Sequence, residues 1–184
     1  MISSRIRLYT ILAVVVFATA GCSEEQLVDP DKLCATGAGV AARISGTPDP
    51  LEMCVPDDEA TATYLAPPDD RYLISATTMD NGIEIKIEIG FFLQPVQPQS
   101  LVVTSDSSQA SADPSAAWFS YREVNPGVYE YSTQSITGNF RLNVTDDHIA
   151  TGTFTNLEIE LEDATGVSAG SRMIAEGFFS VTAD

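Results

Sequence analysis

The chain holds one histidine, three cysteines and 26 acidic residues, so its candidates for chemistry are few and easily located. His148 follows Asp146-Asp147, and an Asp-Asp-His run could form an acid–base or metal cluster. Consecutive side chains of an extended segment point to opposite faces, so such a run converges poorly on one ion. Asp favours turns, and the run reads as a solvated hairpin turn. The acid pairs Asp57-Asp58, Asp69-Asp70 and Asp146-Asp147 could supply two carboxylates. A glycosidase needs its pair facing across about 5–10 Å. Each pair here sits beside a proline or in a predicted turn, as loop acids do. No His-Glu-x-x-His pair, phosphate-cradling glycine loop or EF-hand spacing is present. A serine triad would have to use His148, and no motif sets a serine against it. No catalytic residue, cofactor site or metal ligand is assigned, and no cofactor is expected.

A second group could bind rather than react. Trp118, Tyr121, Tyr129 and Tyr131, with Phe119, lie on two strand-like segments around Asn125-Pro126-Gly127. Trp118 and Tyr121 have opposite parity, so the first segment is aromatic on both faces. One set belongs to a core. The other is either a stacking platform for sugar or peptide or a set of rings packed under a loop. Glu158, Glu160 and Glu162 form an acidic row, as do Glu84 and Glu88. Such a row is either a docking strip for a basic partner or the wet side of a sheet that discourages edge aggregation.

Residues 1–21 have the form of an export signal: Arg5 and Arg7 without acids, an uncharged stretch over 11–20, then small residues up to Cys22. The apolar run is about half of the roughly 20 residues a membrane-spanning helix needs. Thr19-Ala20-Gly21-Cys22 resembles the lipobox of bacterial lipoproteins, with Thr19 where that family usually has Leu, Val or Ile. The resemblance implies cleavage before Cys22 and lipid on its sulfur and amine, palmitate among the acyl groups. Acyl chains at ~0.8 kcal/mol per buried methylene would anchor the chain stably to a membrane. Ser23 is compatible with sorting to the outer membrane. The alternative is an ordinary secretory signal cut near Ala20, which leaves Cys22 a thiol.

If Cys22 is lipidated, Cys34 and Cys54 remain as an even pair. In an oxidising compartment such a pair is expected to form a disulfide. It would close a loop of about 20 residues and add roughly 3 kcal/mol in the chain-entropy model. The signal takes two of the nine basic residues and no acid, leaving seven bases against 26 acids. That acidity argues against nucleic acid, whose phosphates need Lys and Arg, and against anionic lipid heads.

These elements must be positioned by a domain. Residues 22–36 read as a lipidated tether and 37–184 as a single all-β domain. Ile83 to Ile89 alternates isoleucine with charge, the pattern of a half-buried strand. Asn81-Gly82 before it predicts a hairpin joining 71–79 to 83–92. Short strands follow at 101–104, on both sides of 125–127, at 135–145 and 148–162, and at the C-terminus. Residues 105–115 and 164–171 read as loops, and no stretch has a helical period. About nine or ten strands predict an antiparallel β-sandwich or flattened barrel.

Three stretches, Ser135-Ile136-Thr137-Gly138, Ile149-Ala150-Thr151-Gly152-Thr153-Phe154 and Ala175-Glu176-Gly177-Phe178-Phe179, resemble the closing strands of a family of uncharacterised bacterial lipoproteins. Ala42-Arg43-Ile44-Ser45-Gly46 is similar to that family's first strand. The resemblance implies a small β-sandwich and assigns no catalytic residue. The expected function is therefore a membrane-anchored, non-enzymatic envelope lipoprotein that faces the periplasm or exterior. Its β module would bind an envelope protein or glycan, or serve structurally. The alternative is an envelope polymer hydrolase using loop carboxylates.

Overall fold

The computed structural model describes residues 38–46, 50–93, 98–145 and 148–183. The expected signal, Cys22, the tether with Cys34, and Asp146-Asp147 lie outside them. The described elements are β1 Ala38–Ser45, β2 Leu51–Pro56, β3 Thr61–Leu65, β4 Arg71–Asp80, β5 Ile83–Phe92, β6 Gln99–Thr104, α1 Ser107–Ala112, β7 Ala116–Asn125, β8 Tyr129–Thr145, β9 Ile149–Asp163 and β10 Ser168–Thr182.

The ten strands form one sheet in the order β2-β1-β10-β9-β8-β6-β7-β5-β4-β3. The two edge strands, β2 and β3, are neighbours in sequence, joined only by residues 57–60. Four residues reach at most about 14 Å at 3.3–3.6 Å each. The sheet must therefore curl until its edges meet, which folds one half over the other. Rings from the two halves then touch: Phe91 of β5 lies 5.7 Å from Phe179 of β10, and Phe119 of β7 lies 5.3 Å from Phe154 of β9. At the seam the Glu52 amide donates to the Asp80 carboxylate at 3.1 Å instead of to a ladder partner. The result is an all-β, sandwich-like fold that does not close into a barrel.

The alternating isoleucines behave as their spacing requires. Ile85, Ile87 and Ile89 are buried, while Glu84, Lys86 and Glu88 stay partly exposed on the other face. Burying each isoleucine is worth about 1.5–3 kcal/mol. Asn81 and Gly82 take positive φ angles of 51° and 81°, the combination a two-residue hairpin turn prefers, and β4 pairs with β5 from Asp80↔Ile83 to Arg71↔Phe92.

The glycines of the closing strands have a steric reason. Gly177 pairs with Phe154, and Gly152 pairs with Phe179. A Cβ on Gly177 would lie 2.0 Å from Phe154 Cε2, and one on Gly152 would lie 2.4 Å from Phe179 Cζ. Each phenylalanine thus lies over the bare backbone opposite it, a reciprocal arrangement that accounts for the Gly-x-Phe spacing on both strands.

Three local expectations differ from the structure. Residues 107–112 form a short helix, nucleated by Asp106, whose carboxylate accepts from the Ser108 and Gln109 amides. Residues 129–145 form one strand instead of two, because register shifts at three places let β8 follow the curl of the sheet. β10 begins at Ser168, inside the expected 164–171 loop, because Ser168 and Gly170 already pair with Glu162 and Leu161. The sheet is also not purely antiparallel: β6 runs parallel to β7, which the α1 crossover makes possible.

Candidate functional site at the hairpin end

Three turns, at 80–83, 125–129 and 163–168, lie at one end of the sandwich, opposite the end where the chain enters β1 and leaves β10. Of the aromatic residues of β7 and β8, Tyr121, Tyr129 and Tyr131 lie toward this hairpin end, and the structure sorts the expected rings.

Phe119, Tyr121 and Glu123 share one parity of β7 and all three are buried. Tyr121 is fully buried, so it belongs to the core and offers no face to a ligand. Trp118 is on the opposite face, half-buried, and its Nε1–H donates to the Ser105 carbonyl at 3.2 Å. It packs against the segment leading into α1, with Gly90 of β5 leaving room beside its ring. Tyr129 and Tyr131, two apart on β8, stack at 4.4 Å with their planes 8° apart, and both are half-buried. The expected platform of four rings is therefore divided: one in the core, one under a loop, and two stacked at the hairpin end.

The pair of charges that organises this end was not among the expected residues. Glu123 is completely buried and Arg172 of β10 nearly so. They meet across the two halves of the sheet: Arg172 Nε donates to Glu123 Oε2 at 2.9 Å and Arg172 Nη2 donates to Oε1 at 2.8 Å. The Tyr121 hydroxyl donates to Oε2 at 2.8 Å, and the Tyr129 hydroxyl to Oε1 at 2.6 Å. Four donors thus serve one carboxylate. Burial pushes the Glu123 carboxyl up, but the hydrogen bonds from Arg172, Tyr129 and Tyr121 outweigh it and hold the group below its ordinary value. Glu123 in turn raises Arg172 by its hydrogen bonds. Burial, then the Glu123 carboxylate, pushes Tyr129 up to about 12 and Tyr121 upward as well. A signal for this pair does exist in the sequence. Ala117, Phe119 and Tyr121 define an inward parity that Glu123 continues, and a charge at an inward position requires a partner.

Apart from Glu158 and Glu160, which share one concavity, the acidic candidates among the described residues are dispersed. Asp57 accepts from the Thr182 amide at 3.0 Å and hydroxyl at 3.1 Å, fastening the end of β10. Asp70 accepts from the Tyr64 hydroxyl. Asp58 and Asp69 are exposed, as is His148, whose carbonyl accepts from the Ala183 amide at 2.8 Å. Glu158 and Glu160 are exposed and, with Ser171 and Met173, line part of a concavity of about 290 Å³ beside the end of β1. Glu162 is half-buried farther along the same strand. Glu84 pairs with Arg122, and Glu88 with Lys86. Cys54 lies on β2 with its side chain on the exposed face. Among the described residues no three His, Cys, Asp or Glu side chains gather as a metal site, and no helix is long and apolar enough to cross a membrane.

Comparison of the chain with protein-family models, with curated proteins and with solved structures found no match.

Proposed function

We propose that this chain is an exported envelope lipoprotein, held to a membrane by lipid on Cys22, whose β domain is a non-enzymatic module that binds an envelope protein or glycan. The outer membrane is the proposed site, with the domain facing the periplasm or exterior. A Cys34–Cys54 disulfide completes the reading and would fasten the tether to β2.

One observation carries the binding part: the stacked Tyr129–Tyr131 pair lies at the hairpin end, opposite the end where the chain enters β1. A tether attached at the entry end leaves the tyrosine end facing away from the anchor. The stack is braced from beneath by Glu123. Rigid tyrosines supply contact area at low entropic cost, whether to a sugar ring or to a peptide. The buried charges support a non-enzymatic reading in their own way, since Glu123 and Arg172 are spent on each other.

Two experiments test this. Cells fed an alkyne-bearing palmitate should label the wild-type chain and not Cys22→Ala, and only the wild type should sediment with membranes; equal labelling would sink the anchor. Cross-linking in the native envelope should recover a defined protein or glycan whose yield falls with Tyr131→Ala in a protein that keeps its β-sheet circular dichroism. Release of fragments from purified envelope polymer would instead establish a hydrolase.

A further inference from the structure

We infer that Asn81 is a site of spontaneous covalent modification, a deamidation clock set at the seam where the two sheet edges meet. The fold treats its asparagines unequally. Asn81 is followed by Gly82; Asn139, Asn143 and Asn156 are followed by Phe, Val and Leu, and Asn125 by Pro126, which has no amide N–H. Asn81 and Gly82 are both exposed, and no atom lies within 4 Å of where a Gly82 Cβ would be. Asn125 and Asn156 also occupy bends, yet one lacks the nucleophile and the other has the buried Leu157 behind it. Hairpin tips open at little free-energy cost, so the turn can reach the geometry that ring closure needs.

The step is redox-neutral and uses only water. The Gly82 amide nitrogen gives up its proton and adds to Asn81 Cγ. The carboxamide C–N bond breaks and ammonia leaves, forming a five-membered succinimide. Water opens that ring at either carbonyl, which yields aspartate or isoaspartate and one new carboxylate.

The location gives the reaction a structural consequence. Asp80, the preceding residue, accepts the Glu52 amide at 3.1 Å and so ties β4 to β2. Isoaspartate adds a methylene to the main chain of a two-residue turn. Hairpin register follows loop length, so the Asp80↔Ile83 pair is lost and the Asp80–Glu52 bond with it. Ordinary aspartate adds charge without lengthening the turn.

The test incubates the purified full-length protein in mildly alkaline buffer beside a free peptide of residues 76–87. Peptide mapping reads ammonia loss, and enzymatic methylation reads isoaspartate. Asn81 is expected to convert on the timescale of the peptide, while Asn125, Asn139, Asn143 and Asn156 stay intact. An Asn81 that remains intact after the peptide has converted overturns the inference. In the isoaspartyl fraction, hydrogen exchange at the Glu52 amide should lose its protection, whereas Asn81→Asp should keep it. Unchanged protection in the isoaspartyl fraction overturns the link to the seam. Neither readout depends on lipid or ligand.

Discussion

The two ends of this sandwich are closed by large side chains of opposite chemistry. At the entry end Tyr64, Tyr72, Phe91, Phe179 and Phe140 stack in a chain of rings with centroids 5.5 to 5.7 Å apart from one to the next. At the hairpin end the same space between layers is filled by Glu123, Arg172, Tyr121 and Tyr129. The apolar end is stabilised by area and dispersion, which tolerate small displacements. The polar end is directional: four donors converge on one carboxylate that is itself completely buried, and removing a donor leaves part of that carboxylate unsatisfied. The first end can be adjusted ring by ring, whereas the second works as a unit.

The largest expected effect breaks that unit. Arg172→Met should destabilise the fold by about 3–5 kcal/mol, because Glu123 is left buried and unpaired. Adding Glu123→Leu should recover most of the loss, short of what the Tyr121 hydroxyl then lacks. Urea denaturation of the three proteins decides it, and a double variant as weak as the single one would mean that the charges are not coupled as the geometry requires.

At the apolar end, Gly177→Ala places a methyl against Phe154 and should cost about 1–3 kcal/mol through overpacking. Pairing it with Phe154→Leu should relieve part of that cost, and a calorimetric cycle would detect the coupling. Its absence would show that the strands shift to make room.

The ends should also separate by pH. The Glu123 carboxyl is held below its ordinary value, so its contribution is whole at neutral pH and is lost as pH falls through the lower folded-state value. Tyr129 is raised from 10.0 to about 12, so its contribution is whole below pH 10 and fades as pH rises toward 12. In Tyr129→Phe the alkaline loss should shrink. A denaturation series across pH that leaves wild type and variant parallel above pH 10 would refute it.

The smallest effect belongs to the exposed acids. Glu158→Gln with Glu160→Gln should change stability by no more than about 0.5 kcal/mol, as surface substitutions do. A larger change in a thermal melt would assign them a partner within the fold.

Much of this architecture is legible residue by residue. The alternation of Ile83 to Ile89 identifies both the strand and its buried face, Asn81-Gly82 identifies the turn, and the opposite parity of Trp118 and Tyr121 separates outer ring from core ring. The site was legible only in part. Tyr129 and Tyr131 stand out in the sequence as a pair, but nothing local states that the Glu123 carboxylate bracing Tyr129 is paired with Arg172, 49 positions farther along. The helix over 107–112 was hidden because six residues are too few for a period, and its stability comes from the Asp106 cap and the buried Ala110.

What the sequence determined by itself is local: most of the strand segments, which face each buries, and where the hairpins turn. Each follows from steric and solvation preferences acting over two to ten residues. Tertiary structure decided which strands became neighbours beyond the hairpins that short turns already join. It set β6 parallel to β7, brought the edges β2 and β3 together across a four-residue turn, and joined Glu123 to Arg172 between the layers. The physical reason is that a period of two specifies a face without specifying a partner. Partners are chosen by the closure of the whole sheet, which no single segment encodes.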